Sequence, residues 1–522
     1  MVASPHGLAS ASGLDVLRAG GSAVDACIAM NATLGVVYGH MSGLGGDVFA
    51  QVWDPRDLQV VGLNGSGRAG EQVTLEAYAA RGLAEIPARG PLAANTVPGA
   101  VDGWARLHER FGRLDWNRLF TDAIRLAEGG FPVSRGFSEA AEVTAVEIER
   151  FEWSTGALPP ATGSPRLGAS IRQPDLARSL RIVATDGPDA FYRGDLAERL
   201  VAGLQAAGGL LTAADFASHR SDWVDPLRAT YRGLEVTELP PNTQGIATLL
   251  ILNLIEAADL RAMGDASADL IHLVVEATKL AYEDRDRWVT DPDIIDVPFE
   301  RLLSKAYADE RRRLIDPGRA SAAASRDSRR VDGDTVYLCA VDRDGMACSM
   351  IQSLYFEFGS GFVPPGTGIL LQDRGCLFRL DPDHPNVLAP RKRTFHTIIP
   401  AMALRDGRPV LLFGAMGGEG QPQTQAAVLT RIVDFGLDVQ RAIEAPRWRF
   451  GRTWGEARRS LKLESRIGEV VAAELRRRGH DVNLVGPWAA EMGHAQAIAV
   501  DPDAGSLFGG ADPRGDGAAI GW

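Results

Sequence analysis

The sequence predicts a layered fold of mixed helices and strands, α/β or α+β, and three observations carry that expectation. Helical patterns dominate the first part of the chain. A β-branched and aromatic hairpin pattern opens the second part at 335–353. Glycine-rich turns separate the buried apolar runs throughout, and no internal repeat is present.

Residues 7–30 read as two helices parted at Gly20-Gly21, where helix propensity collapses. Further helices are expected near 100–129, 174–182, 195–207 and 247–262. Over 266–288, Leu270, Leu273, Val274, Ala277, Leu280 and Ala281 recur at helical spacing. From 301 to 334 the chain turns small, polar and charged, through Arg311-Arg312-Arg313 and Asp316-Pro317-Gly318. That stretch has no periodicity and predicts an exposed, mobile loop. Residues 335–342 then read as a strand, Arg343-Asp344-Gly345 as a turn and 346–353 as the returning strand. Strands at 397–404 and 409–414 and helices at 422–434 and 468–478 complete the expectation.

Composition narrows the function classes. Hydrophobic residues make up 45% of the 522 and charged residues 23%, an ordinary soluble globular mix. A net charge of −12 with no Lys/Arg stripe argues against nucleic acid as a partner. No apolar stretch approaches the roughly 18 residues of a membrane helix. The first ten residues lack a basic region and an apolar core, so no secretory signal is read and a cytoplasmic location is expected. Cys27, Cys339, Cys348 and Cys376 are too scattered for a disulfide framework and show no CxxC spacing. The nine histidines lack metal-site spacing, so neither metal nor cofactor is expected. Gly65-Ser-Gly67-Arg-Ala-Gly70 has the form of a dinucleotide loop, but no clean helix start follows it. The G-x-S-x-G elbow of a serine hydrolase is absent.

The junction at residue 335 is the informative feature. A polar stretch runs straight into an apolar strand whose first residue is Thr335. A threonine hydroxyl is a weak nucleophile and needs a base; cutting the bond before it frees an α-amine on the same residue to serve. The plainer alternative is a threonine that merely opens a strand. Gly417-Gly418, after the apolar run 410–413, would expose backbone N–H groups as an oxyanion site requires, or would only make a strand-to-helix turn.

The run Gly333-Asp334-Thr335 through Asp342 to Gly345 resembles the processing site of the gamma-glutamyltranspeptidase family, Thr-Thr-His-x-x-x-x-Asp-x-x-Gly. Further matches follow in family order. They include Gly20-Gly21-Ser-Ala-Val-Asp25, Ser42-Gly43-Leu-Gly45-Gly46, Val97-Pro98-Gly99, Pro240-Pro241-Asn-Thr-Gln-Gly245, Ala445-Pro446-Arg447 and Asp512-Pro513-Arg514. The resemblance implies an α+β fold of the four-layer αββα type found in N-terminal-nucleophile hydrolases. It implies self-cleavage between Asp334 and Thr335, giving a large fragment 1–334 and a small one 335–522 that stay together as one composite globular domain, with a dimer of it as the expected assembly. It also gives Thr335 the nucleophile's role, Gly417 and Gly418 the oxyanion site, and Ser353 a hydrogen bond to the nucleophile.

The family's glutamyl-binding positions are rewritten. By the resemblance, Ser66 stands for the carboxylate-binding arginine, Tyr355 for an asparagine, Leu377 for the acidic residue that holds the amine, and His396 and Thr397 for two serines. The second threonine of the processing motif is Val336. Desolvating an amino-acid zwitterion without its charged partners would cost several kcal/mol, which argues against efficient γ-glutamyl transfer. Arg68 and Arg374, close to those positions, are candidates to hold a substrate carboxylate, and His396 to donate to substrate. The pattern looks more like the branch of oxamate amidohydrolases and cephalosporin acylases. The expected function is amide cleavage of a small carboxylate-bearing substrate through an acyl-Thr335 intermediate. The alternatives are a glutathione hydrolase or transpeptidase and an uncleaved, non-catalytic binding protein.

Overall fold

Residues 336–341 alternate between two apolar environments, and that alternation sets the architecture. Val336, Leu338 and Ala340 enter one buried cluster with Ala26, Met30 and Leu34 of the helix Ala23–Val37. Tyr337, Cys339 and Val341 enter a second, with Met402, Leu412 and Ile498 of a different sheet. A strand covered on both faces must be apolar at every position, which explains the unbroken run in the sequence.

The computed structural model describes residues 1–148, 165–322, 333–451 and 460–522. Within them a seven-stranded antiparallel sheet runs Ala518–Ile520, Val2–Ser4, Asp334–Val341, Ala347–Tyr355, Asp47–Asp54, Gln59–Gly65, Asp222–Val224. A six-stranded antiparallel sheet runs Ser506–Ala511, Ala495–Asp501, Arg408–Ala415, Ala401–Arg405, Leu234–Glu238, Leu227–Tyr231. A third cluster joins Val236, Ala403 and Phe413 of the six-stranded sheet to Leu250, Leu254 and Val274 of the helices Gly245–Ile255 and Ala268–Trp288. Ala403 and Phe413 thus face helices, while their neighbours Met402 and Leu412 face the other sheet. The fold is a mixture of helix and sheet, as the sequence predicts.

Local chemistry explains most boundaries. Helices Gly7–Arg18 and Ala23–Val37 part at Gly20-Gly21, and a capping box starts the second: the Ser22 hydroxyl accepts from the Asp25 amide and the Asp25 carboxylate from the Ser22 amide. Gly245–Ile255 ends before the predicted 262; a separate turn, Leu260–Met263, is capped by Asp259. The stretch 100–129 is two helices, Ala100–Phe111 and Thr121–Gly129, with a 3-10 turn at Trp116–Phe120.

The predicted loop 301–334 needs correction. Ser304 caps a helix, Lys305–Arg312, whose Arg311 pairs with Glu283 at 2.7 Å and Arg312 with Asp309 at 2.6 Å. Beyond it the backbone is exposed yet tethered: His272 Nε2 lies 2.8 Å from the Asp316 carbonyl, and Lys279 donates to the Ser321 carbonyl at 2.8 Å. Charges that read as solvated are paired, Arg311 with another helix and Arg312 within its own. Residues 323–332 of that expectation lie outside the described residues.

No helix opens within the G-x-G-x-x-G run, and the next one, Leu75–Ala79, starts beyond it and is 5 residues long, so the run is not a dinucleotide loop; a Cβ on Gly67 would lie 1.5 Å from the Val97 carbonyl oxygen, so glycine there permits a close backbone approach. No disulfide joins the four cysteines. Among the described residues no helix is long and apolar enough to cross a membrane.

Candidate active site

Thr335 is fully buried at the start of the strand Asp334–Val341. Its partner strand pairs regularly up to Gln352 opposite Val336 and then slips, so that Tyr355 stands opposite Asp334. This bulge, with Tyr355 at φ 85°, sets Ser353 beside the nucleophile candidate, and the Thr335 hydroxyl donates to the Ser353 Oγ at 3.3 Å.

Ser353 is the hub of a buried polar chain. Its Oγ accepts from the Tyr355 amide at 2.8 Å and from Arg374 Nη2 at 2.8 Å. Arg374 also donates through Nη1 to the Thr397 hydroxyl at 2.9 Å, and its guanidinium lies 4.2 Å from the Tyr355 ring centroid. The side chain is fully buried, yet among the described residues no carboxylate stands within ion-pair distance of it, and its Nε finds no acceptor. Burial lowers the Arg374 pKa, partly offset by the negative fields of Tyr355, Asp47 and Asp373. Burial also pushes the neighbouring Asp373 carboxyl up to about 7, against the opposing pull of Arg89.

His396 is held from two sides. Its amide donates to the Asn242 carbonyl at 2.8 Å and its carbonyl accepts from the Gln244 amide at 3.0 Å. Its Nε2 lies 3.0 Å from Asp47 Oδ2. Burial, reinforced by the Arg374 charge, lowers the imidazole to about 4 despite Asp47, so it is neutral at pH 7. The other Asp47 oxygen accepts from the Gly67 and Gly99 amides and from Gln372.

Gly417 and Gly418 follow the strand Arg408–Ala415 and precede the helix Gln421–Val433. Both have positive φ, 129° and 53°, which side-chain-bearing residues rarely adopt. The pair lies against the chain just before the nucleophile: a Cβ on Gly333 would meet the Gly418 Cα at 2.7 Å.

The fold therefore gathers Thr335, Ser353, Tyr355, Arg374 and Thr397 into one bonded set, with His396 next in sequence to Thr397 and Gly333 against Gly418. Ser66 instead bonds Asn64 at 2.7 Å and receives Asn242 at 3.3 Å. Arg68 is engaged by two acids, Asp291 at 3.1 Å and Asp293 at 2.8 Å. Asp47, Gln244 and Arg285 are absent from the sequence reading as site residues. Asp47 directly follows the Gly45-Gly46 signature and Gln244 sits inside Pro240–Gly245, so those motifs were the available signal.

Sequence spacing also gave no metal pattern, yet the fold brings His272, Glu276 and His480 together. Both Glu276 oxygens are occupied, by Lys279 at 2.7 Å and the Ser321 amide at 3.0 Å. An ammonium in contact with the carboxylate disfavours a cation there.

The profile of the gamma-glutamyltranspeptidase family matches residues 9–522. The chain is 45% identical over 521 residues to the glutathione hydrolase-like YwrD proenzyme of Bacillus subtilis, covering 100% of this chain and 98% of that one. It is 45% identical over 532 residues to the oxamate amidohydrolase proenzyme of Klebsiella pneumoniae, again with 100% and 98% covered. The solved cephalosporin acylase of Bacillus halodurans superposes with a TM-score of 0.93 at 38% identity, covering 100% of this chain and 95% of that one.

Proposed function

The chain belongs to the gamma-glutamyltranspeptidase family of amide-cleaving hydrolases, and from that premise we propose that it cuts itself before Thr335 and then hydrolyses an amide whose carbonyl bears a carboxylate directly, as oxamate does. The observation that carries this reading is Arg374, which among the described residues has no carboxylate within ion-pair distance and bonds the same Ser353 hydroxyl as the nucleophile. Steps of 3.3 and 2.8 Å, through the Ser353 hydroxyl, separate Thr335 Oγ1 from Arg374 Nη2, so the two are at most about 6 Å apart. In an oxamate adduct the carboxylate oxygen stands about 3 Å from the attacking oxygen, and a charge-assisted bond adds about 2.8 Å. The sum fits. A γ-glutamyl group interposes three more carbons, roughly 4 Å when extended, and overshoots Arg374.

Once the Asp334–Thr335 bond is cut, the Thr335 α-amine takes the hydroxyl proton as Oγ1 attacks the amide carbonyl. The Gly417 and Gly418 amides stabilise the oxyanion, and the protonated amine passes its proton to the leaving ammonia. Water then attacks the acyl ester and restores the hydroxyl, releasing oxalate when oxamate is the substrate. Both sheets contain strands from each side of the cut: Val2–Ser4 and Asp47–Asp54 share one with Ala347–Tyr355, and Leu234–Glu238 shares the other with Ala401–Arg405. The fragments 1–334 and 335–522 accordingly remain one composite domain. The three apolar clusters, two between helices and a sheet and one between the sheets, support a four-layer αββα order.

A γ-glutamyl amide is the second reading, favoured by the name of the Bacillus subtilis relative. Ammonia release from oxamate, measured beside anilide release from a γ-glutamyl anilide, separates the two. Faster turnover of the γ-glutamyl compound would overturn the oxamate-type assignment.

A further inference from the structure

Gln244 is fully buried, both hydrogens of its carboxamide are donated and its oxygen accepts from a guanidinium. Nε2 donates to the Gly418 carbonyl at 2.9 Å and to the Thr397 carbonyl at 2.7 Å, while Oε1 accepts from Arg285 Nη1 at 2.9 Å. A guanidinium only donates, so the amide oxygen must face Arg285 and both amide hydrogens must face the two carbonyls. Arg285 is itself clamped, 3.9 Å from the Tyr282 ring centroid and bonded to Asp286 at 2.6 Å and Glu419 at 3.2 Å.

These bonds define the backbone on both sides of Gly418. The Gly417 carbonyl shares a rigid peptide plane with the Gly418 N–H, and it accepts from the Gly420 amide at 2.8 Å. The Gly418 carbonyl defines the next plane, and Gln244 holds it. Glycine has no side chain to limit rotation, so outside bonds must do so. The second carbonyl held by Gln244 belongs to Thr397, whose hydroxyl receives Arg374. One side chain therefore spans from the oxyanion glycine to the carboxylate receptor.

We infer that Gln244, oriented by Arg285, is a positioning residue that fixes Gly418 for oxyanion stabilisation and sets its spacing from Arg374. This rests on the reading of Gly417-Gly418 and Arg374 given under Proposed function. Asparagine or serine at 244 could not reach both carbonyls and Arg285 at once. The interaction is thus specific to a glutamine-sized amide.

The test compares self-cleaved wild type with Gln244→Glu, which keeps the shape and the Arg285 contact but turns two donors into acceptors facing carbonyls. The substrate is whichever of oxamate and γ-glutamyl anilide wild type turns over faster. An error in the substrate assignment then changes the wild-type preference and leaves the variant-to-wild-type ratio intact. Loss of an oxyanion donor costs on the order of 10²-fold in kcat, and misplacing one should approach that. The affinity for the planar product, read as product inhibition, should stay within about threefold, because no oxyanion forms on binding. Arg285→Lys, which keeps the charge but not the fork, should give a smaller fall with the same split, and it serves if Gln244→Glu does not fold. A kcat within about threefold of wild type would overturn the inference, as would kcat and product affinity falling together.

Discussion

Replacing Arg374 with glutamine tests substrate selection at the level of one charge. Glutamine can still donate toward Ser353 and Thr397, which accept from the guanidinium at 2.8 and 2.9 Å. It cannot supply the charge that a buried carboxylate needs. A hydrogen bond to a charged group is worth about 1.5–3 kcal/mol, and the fully buried setting of Arg374 places it toward the upper figure. About 3 kcal/mol is roughly a 10²-fold loss in kcat/KM. The assay is ammonia release from oxamate and from oxamide, which is alike in size but has no carboxylate. Oxamate turnover should fall about 10²-fold and oxamide turnover should change by less than about threefold, so the preference for the acid collapses. Equal losses on both substrates would refute the reasoning and reduce Arg374 to a support for Ser353. Removing the charge should not unfold the protein, because burial already disfavours the ionised arginine and, among the described residues, no carboxylate within ion-pair distance loses its partner.

Three further outcomes are expected. Gly333→Ala should slow self-cleavage at least about tenfold, since its Cβ would lie 2.7 Å from the Gly418 Cα, and the time course of chain cleavage on a denaturing gel checks it. An unchanged rate would mean that Gly418 does not contact the scissile segment. His396→Gln should become relatively more stable as the medium is acidified. The folded imidazole has its pKa lowered to about 4 by burial, below its value of about 6.5 when unfolded. The unfolded chain therefore binds the proton first, and the stability of the neutral histidine, complete above about pH 6.5, is lost as pH falls toward 4. Urea unfolding from pH 7 to 4 should shift the wild-type-minus-variant difference by up to about 3 kcal/mol, and a pH-independent difference would contradict it. Ser353→Ala should lower kcat by roughly tenfold or more while leaving the chain folded, because it removes both the partner of Thr335 and an anchor of Arg374. A wild-type rate would remove Ser353 from the mechanism.

Much of this architecture was legible because the relevant signals are local. The helix break at Gly20-Gly21, the hairpin turn at Asp342–Gly345 and the apolar period of Ala268–Trp288 all act within a few residues. The two-sided burial of residues 336–341 was legible only as an unbroken apolar run; which face meets helices and which meets the second sheet is decided by partners far along the chain. Arg311 and Arg312 misread as loop residues because their charge is neutralised by Glu283 and Asp309, the first contributed by another helix. In the site, Thr335, Gly417 and Gly418 stood out by position after or before a strand. Arg68 and Arg374 looked equivalent in sequence. The fold separates them: Arg68 spends its guanidinium on Asp291 and Asp293, while Arg374, among the described residues, meets the Ser353 and Thr397 hydroxyls and the Tyr355 ring. Gln244 carried no chemical signal of its own, since an amide acts here only through carbonyls supplied by two distant segments.

The central claim is that Thr335 is a nucleophile released by cutting the chain in front of it. N-terminal sequencing and intact mass of purified wild type and Thr335→Ala, incubated side by side at neutral pH, test it most directly. Wild type should yield a fragment of 188 residues beginning Thr-Val-Tyr-Leu and ending at Trp522, together with the 334-residue remainder, while the variant stays whole and folded. A wild-type chain that remains intact, or a variant cut at the same bond, would contradict the account.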